Sequence, residues 1–272
     1  MGFKILWQNI STEKDYIPDA HIIWDGLQRA VRKIARADTV VTFSHVEKNV
    51  WLPMFPYLEM LNDTMLIDKI IKAETEGYDA AMIGCFGDPG LQQARGVVDM
   101  PVTGACESGM LVAQLLGNRF AVVTVGPGWV PIVEANIRRY GFEERAIKNR
   151  PVRQFDLAQE MPALIDAFQG KPERLIMLFE TEALKCIDDG ADVVIAGCCY
   201  VSPLFSLIGY REVANTGVPV VDPAAVALKL AEVLADLQST TGIAKSKCAT
   251  SLYAPPPRDI LDQVRRDFGY IR

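Results

Sequence analysis

The chain is expected to be an α/β protein of two pseudo-symmetric lobes. Each is a parallel sheet flanked by helices, and the candidate site is expected in the cleft between them. Three observations carry this expectation. Apolar strand-like runs alternate with helix-period segments along the whole length, the mark of parallel α/β folds. The pattern Gly-x-Asp-x-x-x-x-Gly-Cys occurs twice, from Gly77 to Cys85 and from Gly190 to Cys198, 113 residues apart. Landmarks around the two copies also keep their order. Asn9 stands 76 residues before Cys85 and Thr124 stands 74 before Cys198. Pro89 and Pro203 follow the cysteines by four and five residues, and Pro101-Val102 and Pro219-Val220 each open a further strand. A repeat held at several points argues for a duplicated unit.

Taken in order, Lys4 to Trp7 reads as the first strand, and Ile23, Leu27, Val31 and Ile34 share one face of a helix. Thr39 to Phe43 is a second strand. Asp63 or Thr64 is expected to cap a helix carrying Leu66, Ile67, Ile70 and Ile71, which Gly77 ends. Ala80 to Ile83 then delivers Cys85, and Pro89 suits the first turn of a helix through Arg95. In the second half, Phe120 to Val125 is a strand. Gly126-Pro127-Gly128 turns into a helix from Val130 to Tyr140, stopped at Gly141. A helix from Glu173 to Asp189 stops at Gly190, and Val193 to Ala196 delivers Cys198. Val218 to Val221 precedes a last long helix, Ala224 to Leu237. The first lobe is expected to hold residues 1–103 plus 214–272, and the second residues 104–213. Parallel α/β sheets carry ligands beyond the carboxyl ends of their strands, where both cysteines stand.

Composition narrows the function. Half of the 272 residues are apolar, 23% are charged and the net charge is −6. An acidic chain without a Lys/Arg cluster lacks the footprint of a nucleic-acid binder. No apolar run reaches the length that spans a bilayer, and the N-terminus has no export signal. The expectation is a cytoplasmic protein that acts on a small molecule, without nucleic-acid or membrane partners. Of the six cysteines none forms Cys-x-x-Cys, and His21 and His45 form no ligand spacing, so no metal site is expected.

The segment Cys85-Phe86-Gly87-Asp88-Pro89-Gly90 combines a thiol with two glycines and a helix start. Such a start aims free N–H groups and partial positive charge at the cleft, which favours a thiolate. A buried structural cysteine is the plain alternative for either copy alone; the second copy overrides it. Neighbouring residues on a strand point opposite ways, so the repeat selects Cys198 over Cys199. Gly126-Pro127-Gly128 lacks the Lys and Ser/Thr of a phosphate loop. Ser108 lacks the glycine frame of a nucleophile elbow. His45 and Glu47 read as a solvated loop.

The chain resembles the Asp/Glu/hydantoin racemase superfamily, and within it the hydantoin (allantoin-type) racemase branch. The resemblance rests on residues 5–12 and on Gly84 to Leu91 with Ala94-Arg95. It continues through Pro101-Val102-x-Gly104 with Glu107, Phe120 to Thr124 and Ile195 to Cys198. The resemblance implies a cofactor-free isomerase, often a homo-oligomer. Cys85 and Cys198 would be the acid/base pair, with Asn9, Phe86, Gly87, Thr124, Val125 and Cys199 at the substrate. Departures are Ile10 and Ser11 in the first motif, Val125-Gly126-Pro127-Gly128-Trp129, Cys199-Tyr200, and a tail from about Ser239 with an amphipathic helix near Ile260 to Phe268.

Two thiols across one cleft suit racemisation of a hydantoin, allantoin or an amino acid. One removes the proton next to a carbonyl while the other returns one to the opposite face. The alternatives are a cysteine-dependent cis-trans isomerase, decarboxylase or amide hydrolase on the same fold, or a non-catalytic binding protein.

Overall fold

The computed structural model describes residues 2–14, 17–50 and 52–270. The first sheet holds β1 (Lys4–Gln8), β2 (Val40–Ser44), β3 (Ala80–Ile83) and β4 (Val102–Gly104), in the order β2-β1-β3-β4. The second holds β5 (Phe120–Val125), β6 (Val152–Phe155), β7 (Val193–Gly197) and β8 (Val220–Val221), in the order β6-β5-β7-β8. All pairs are parallel, and the two orders match strand for strand. The duplication read from the sequence is therefore a duplication of topology.

The repeated Gly-x-Asp has a physical reason in both copies. Gly77 and Gly190 end a helix at positive φ, 75° and 96°, where a side chain would be strained. Asp79 accepts the Lys4 N–H at 2.7 Å, and Asp192 accepts the N–H groups of Asn118 and Arg119 at 2.8–3.0 Å. Each Asp thus fastens the start of the central strand beside its own.

The helices of the first half are α1 (Ala20–Ile34), α2 (Pro56–Thr75), α3 (Leu91–Val97) and α4 (Ala105–Leu116). Those of the second are α5 (Trp129–Arg139), α6 (Met161–Phe168), α7 (Glu173–Asp188), α8 (Ser202–Ile208) and α9 (Pro223–Thr241), with α10 (Arg258–Asp267) in the tail. Strand residues of one parity, Ile5, Trp7, Ala80 and Met82 with Phe120, Val122, Val193 and Ile195, share one core with α4 and α9. These two helices pack closely and present small residues to their shared core: Ala105 and Ala113 of α4 with Ala224, Ala227 and Ala231 of α9, while Gly109 faces Pro223. The other parity forms two outer cores. Leu6, Ala81 and Ile83 lie under α2 and α3 with Cys85, while Ala121, Val123, Val194 and Ala196 lie under α6, α7 and α8 with Cys198.

Helix α1 follows β1 but packs on α6 and α8, burying Ile23, Trp24 and Leu27 in the outer core of the second sheet. The return to the first lobe falls later than residue 214, because β8 still pairs with β7. The tail then lies on the first lobe: Arg265 pairs with Asp68, Lys247 with Asp99, and Lys245 donates to the Arg95 carbonyl.

Two local expectations are corrected. Helix α2 begins at Pro56 rather than at Asp63 or Thr64, since Pro at its first turn needs no N–H partner and Phe55 supplies only an extended entry. Pro89 lies ahead of α3, because Gly90 at φ 63° interrupts the chain before Leu91. Among the described residues no helix is long and apolar enough to cross a membrane.

Candidate active site

Cys85 and Cys198 stand just beyond the equivalent strands β3 and β7 and are 8% and 9% exposed. The Gly87 N–H points at Cys85 Sγ, 3.4 Å away. The N–H groups of Tyr200 and Val201 do the same for Cys198. The thiols are close enough for the charge of Cys198 to act on Cys85. All six cysteines are free, and the side chain of Cys199 lies in the core between the sheets, on the opposite parity to Cys198.

Electrostatics corrects one expectation. Burial pushes both thiols up from the ordinary cysteine range, and the N–H donors offset this only in part. The helix start does not act at the sulfur, since α3 begins six residues after Cys85. The other groups that act on Cys85 through charge, Asp88 and Glu59, are acidic and push it further up.

The loop from Cys85 to Gly90 is fixed from several sides. Asp88 is buried at φ 51° and accepts the N–H groups of Cys106 and Glu107 at 2.9 and 2.8 Å, capping α4. The Tyr140 hydroxyl donates to the same carboxylate at 2.9 Å, and Asn136 donates to the Gly87 carbonyl at 2.8 Å. Both side chains come from the α5 segment of the other half. Glu107 in turn holds Arg95 at 3.0 Å, and Arg95 reaches Tyr253 of the tail.

A polar bridge joins the lobes beside the cysteines. Asn9 accepts from Trp7 Nε1 at 3.1 Å and lies 3.4 Å from His45 Nε2, while His45 Nδ1 lies 3.2 Å from the Ser11 carbonyl. Ser11 and Tyr200 hydroxyls meet at 3.0 Å, and the Trp24 ring abuts both His45 and Tyr200 edge-on. Burial lowers the His45 imidazole from its usual range, against the Ser11 carbonyl and Glu13, which favours the neutral ring.

A profile of the Asp/Glu/hydantoin racemase family matches residues 23–231. A hydantoin racemase of Pseudomonas sp. (strain NS671) is 32% identical over 81% of this chain and 84% of its own length. One from Rhizobium meliloti is 38% identical over 69% and 71%. The chain belongs to the Asp/Glu/hydantoin racemase family. It is an isomerase of the racemase type, as expected. In fold it resembles the allantoin racemase of Pseudomonas fluorescens, with a TM-score of 0.74 at 24% identity over 94% of this chain and 98% of that one. The allantoin racemase of Klebsiella pneumoniae gives 0.73 at 23% identity over 94% and 95%.

In this member of the racemase family, the residues expected at the substrate fall into three groups. Asn9 and Thr124 occupy equivalent places: Asn9 Oδ1 lies 3.1 Å from where a Cβ on Gly84 would stand, and the Thr124 hydroxyl donates to the Gly197 carbonyl at 2.9 Å. Gly87 touches Cys85 directly, and Val125 is half-buried at the end of β5. The Phe86 ring and Cys199 are instead core groups, with Phe86 packed against Gly197 and Val122. The reading of His45 as part of a solvated loop is corrected, since the ring is half-buried between Asn9 and the Ser11 carbonyl. Ser11 and Tyr200 enter the sequence reading only as departures from the family motif. The available signal was position, since His45 follows directly on β2, beyond the carboxyl end of a parallel strand, where α/β sheets carry their ligands.

Proposed function

We propose that this chain racemises a small neutral carbonyl compound, a 5-substituted hydantoin or allantoin, by proton transfer between Cys85 and Cys198. The observation that carries this reading is the pairing itself. Two thiols leave equivalent strands, each faced by a backbone N–H, and Cys198 is near enough for its charge to act on Cys85. One sulfur, as thiolate, takes the proton from the stereocentre and becomes a thiol. The enolate is held by N–H donors, and the other thiol delivers its proton to the opposite face and is left as thiolate. No net proton or electron is gained, and the reverse direction exchanges the two roles. The acidic groups around Cys85 favour a neutral ring over a free amino acid, whose carboxylate they would repel.

Each enantiomer of 5-benzylhydantoin incubated in deuterated water is expected to lose optical rotation while gaining deuterium at its stereocentre. Cys85→Ser and Cys198→Ser should each lower racemisation by about 10³-fold or more, as loss of an acid/base group does. Cys248→Ser, on the exposed tail, should not. Near-full activity in either of the first two variants would overturn the two-base mechanism.

A further inference from the structure

On the reading of the site as a hydantoin-type racemase, we propose that Trp129, next to the Gly128 position that Met54 of the first lobe covers, forms the subsite for the substituent on the stereocentre. It selects an aromatic or branched aliphatic group over a polar one. Trp129 is the first residue of α5, directly after the turn through Gly126 and Gly128. A Cβ placed on Gly87 would come 3.0 Å from Trp129 Cζ3 and 3.7 Å from Cys85 Sγ. One methyl-sized position therefore touches both the indole and the sulfur. On this proposal, a substituent on the carbon whose proton Cys85 exchanges lies against that ring.

The indole is half-buried and packs against the outer core that contains Cys85. Its neighbour Gly128 is covered by Met54, whose Cγ would lie 2.6 Å from a Cβ added at Gly128. Met54 belongs to a segment rich in apolar side chains that water reaches, including Leu52 and Phe55, 57% and 55% exposed. This apolar bridge crosses between the lobes, as the polar one through Asn9, His45, Ser11 and Tyr200 does. The ring amides of a hydantoin find hydrogen-bond partners along the polar bridge and the cysteine loops. An aryl or branched alkyl substituent gains contact area on an indole and a thioether. A ureido group placed there leaves water for groups that return fewer hydrogen bonds. Glu59, in the first turn of α2, acts on Cys85 through its charge, and Arg139 of α5 acts on Glu59 in turn.

The test compares kcat/KM, followed by polarimetry, for 5-benzyl-, 5-isopropyl- and 5-methylhydantoin and for allantoin. The protein as it stands should favour the benzyl compound over allantoin. Trp129→Ala should lose about tenfold or more on 5-benzylhydantoin and change less than about threefold on 5-methylhydantoin. Trp129→Phe should keep most of the benzyl activity. Preference of the unaltered protein for allantoin, or an equal fall on the benzyl and methyl compounds, would overturn the subsite. If Trp129→Ala melts early, Met54→Ala carries the same comparison with a smaller split, and no split overturns it. If the unaltered protein exchanges deuterium into no hydantoin, the racemase reading itself fails. If it exchanges but shows no dependence on the substituent, only the subsite does.

Discussion

Cys85 and Cys198 are held as neutral thiols by the cost of burying a sulfur anion, with the N–H groups of Gly87, Tyr200 and Val201 returning part of it. A raised thiol is a scarce but strong base. Below its pKa, each unit of pH changes the thiolate fraction about tenfold. The logarithm of kcat/KM is therefore expected to climb with a slope of about one from pH 6 to pH 8. A profile flat across that interval would show that the base titrates below it and is not one of these thiols. At the same scale, Asp88 illustrates why an acidic residue sits at φ 51°, where glycine is the easier choice. Its two oxygens reach three donors from this backbone conformation, and a glycine would leave those donors without it.

The two halves cap their buried helices differently. Asp222 is the N-cap of α9 itself and accepts from Ala224 and Ala225, both at 3.0 Å. The corresponding position before α4 is Gly104, and its missing side chain leaves room for the Asp88 carboxylate, 2.5 Å from where a Cβ would be. In the first half the cap is thus supplied by the cysteine loop, which ties the placement of Cys85 to the start of α4. This arrangement has a pH signature. Burial raises Asp88 to about 7 despite its three donors, and raises Asp63, which faces Gly90, to about 7 as well. Asp222 moves in the same direction. Between roughly pH 4, where an unfolded Asp titrates, and pH 7, the folded chain holds more protons than the unfolded one. Stability is therefore expected to fall as pH rises through that window, by at most about 1.4 kcal/mol per pH unit for each fully buried group. Thermal melts from pH 4.5 to pH 8 should show a declining Tm. A Tm that rises over this range would contradict the assignment.

At the scale of the molecule, the contact of α4 with α9 between the two sheets joins the lobes. A Cβ on Gly109 would approach Pro223 Cβ to 2.7 Å, and backbone on both helices must shift to admit it. Gly109→Ala is expected to cost about 1–3 kcal/mol. Because the contact belongs to both lobes, the loss should appear as a lower Tm in a single transition, not as early melting of one half. The duplication and every strand but β6 were legible because apolar runs are bounded by Gly and Pro, and because Gly-x-Asp-x-x-x-x-Gly-Cys has the same mechanical work in each half. Strand β6, Val-Arg-Gln-Phe, puts two polar residues at its centre and shows no such run. The start of α2 was not legible either, since Pro56, Tyr57, Met60 and Leu61 expose apolar groups where an amphipathic pattern would show polar ones. The part played by His45 was hidden too, for its partners Asn9 and Ser11 lie 36 and 34 residues away. Periodicity in α1 gave its apolar face but not the sheet that covers it. That crossing has a consequence. Cut between Leu116 and Phe120, the chain yields two pieces, one carrying α1 away from the sheet it shields and the other removing Asn136 and Tyr140 from the Cys85 loop. Neither fragment is a self-contained half; each is the missing wall of the other, and only their reunion restores both.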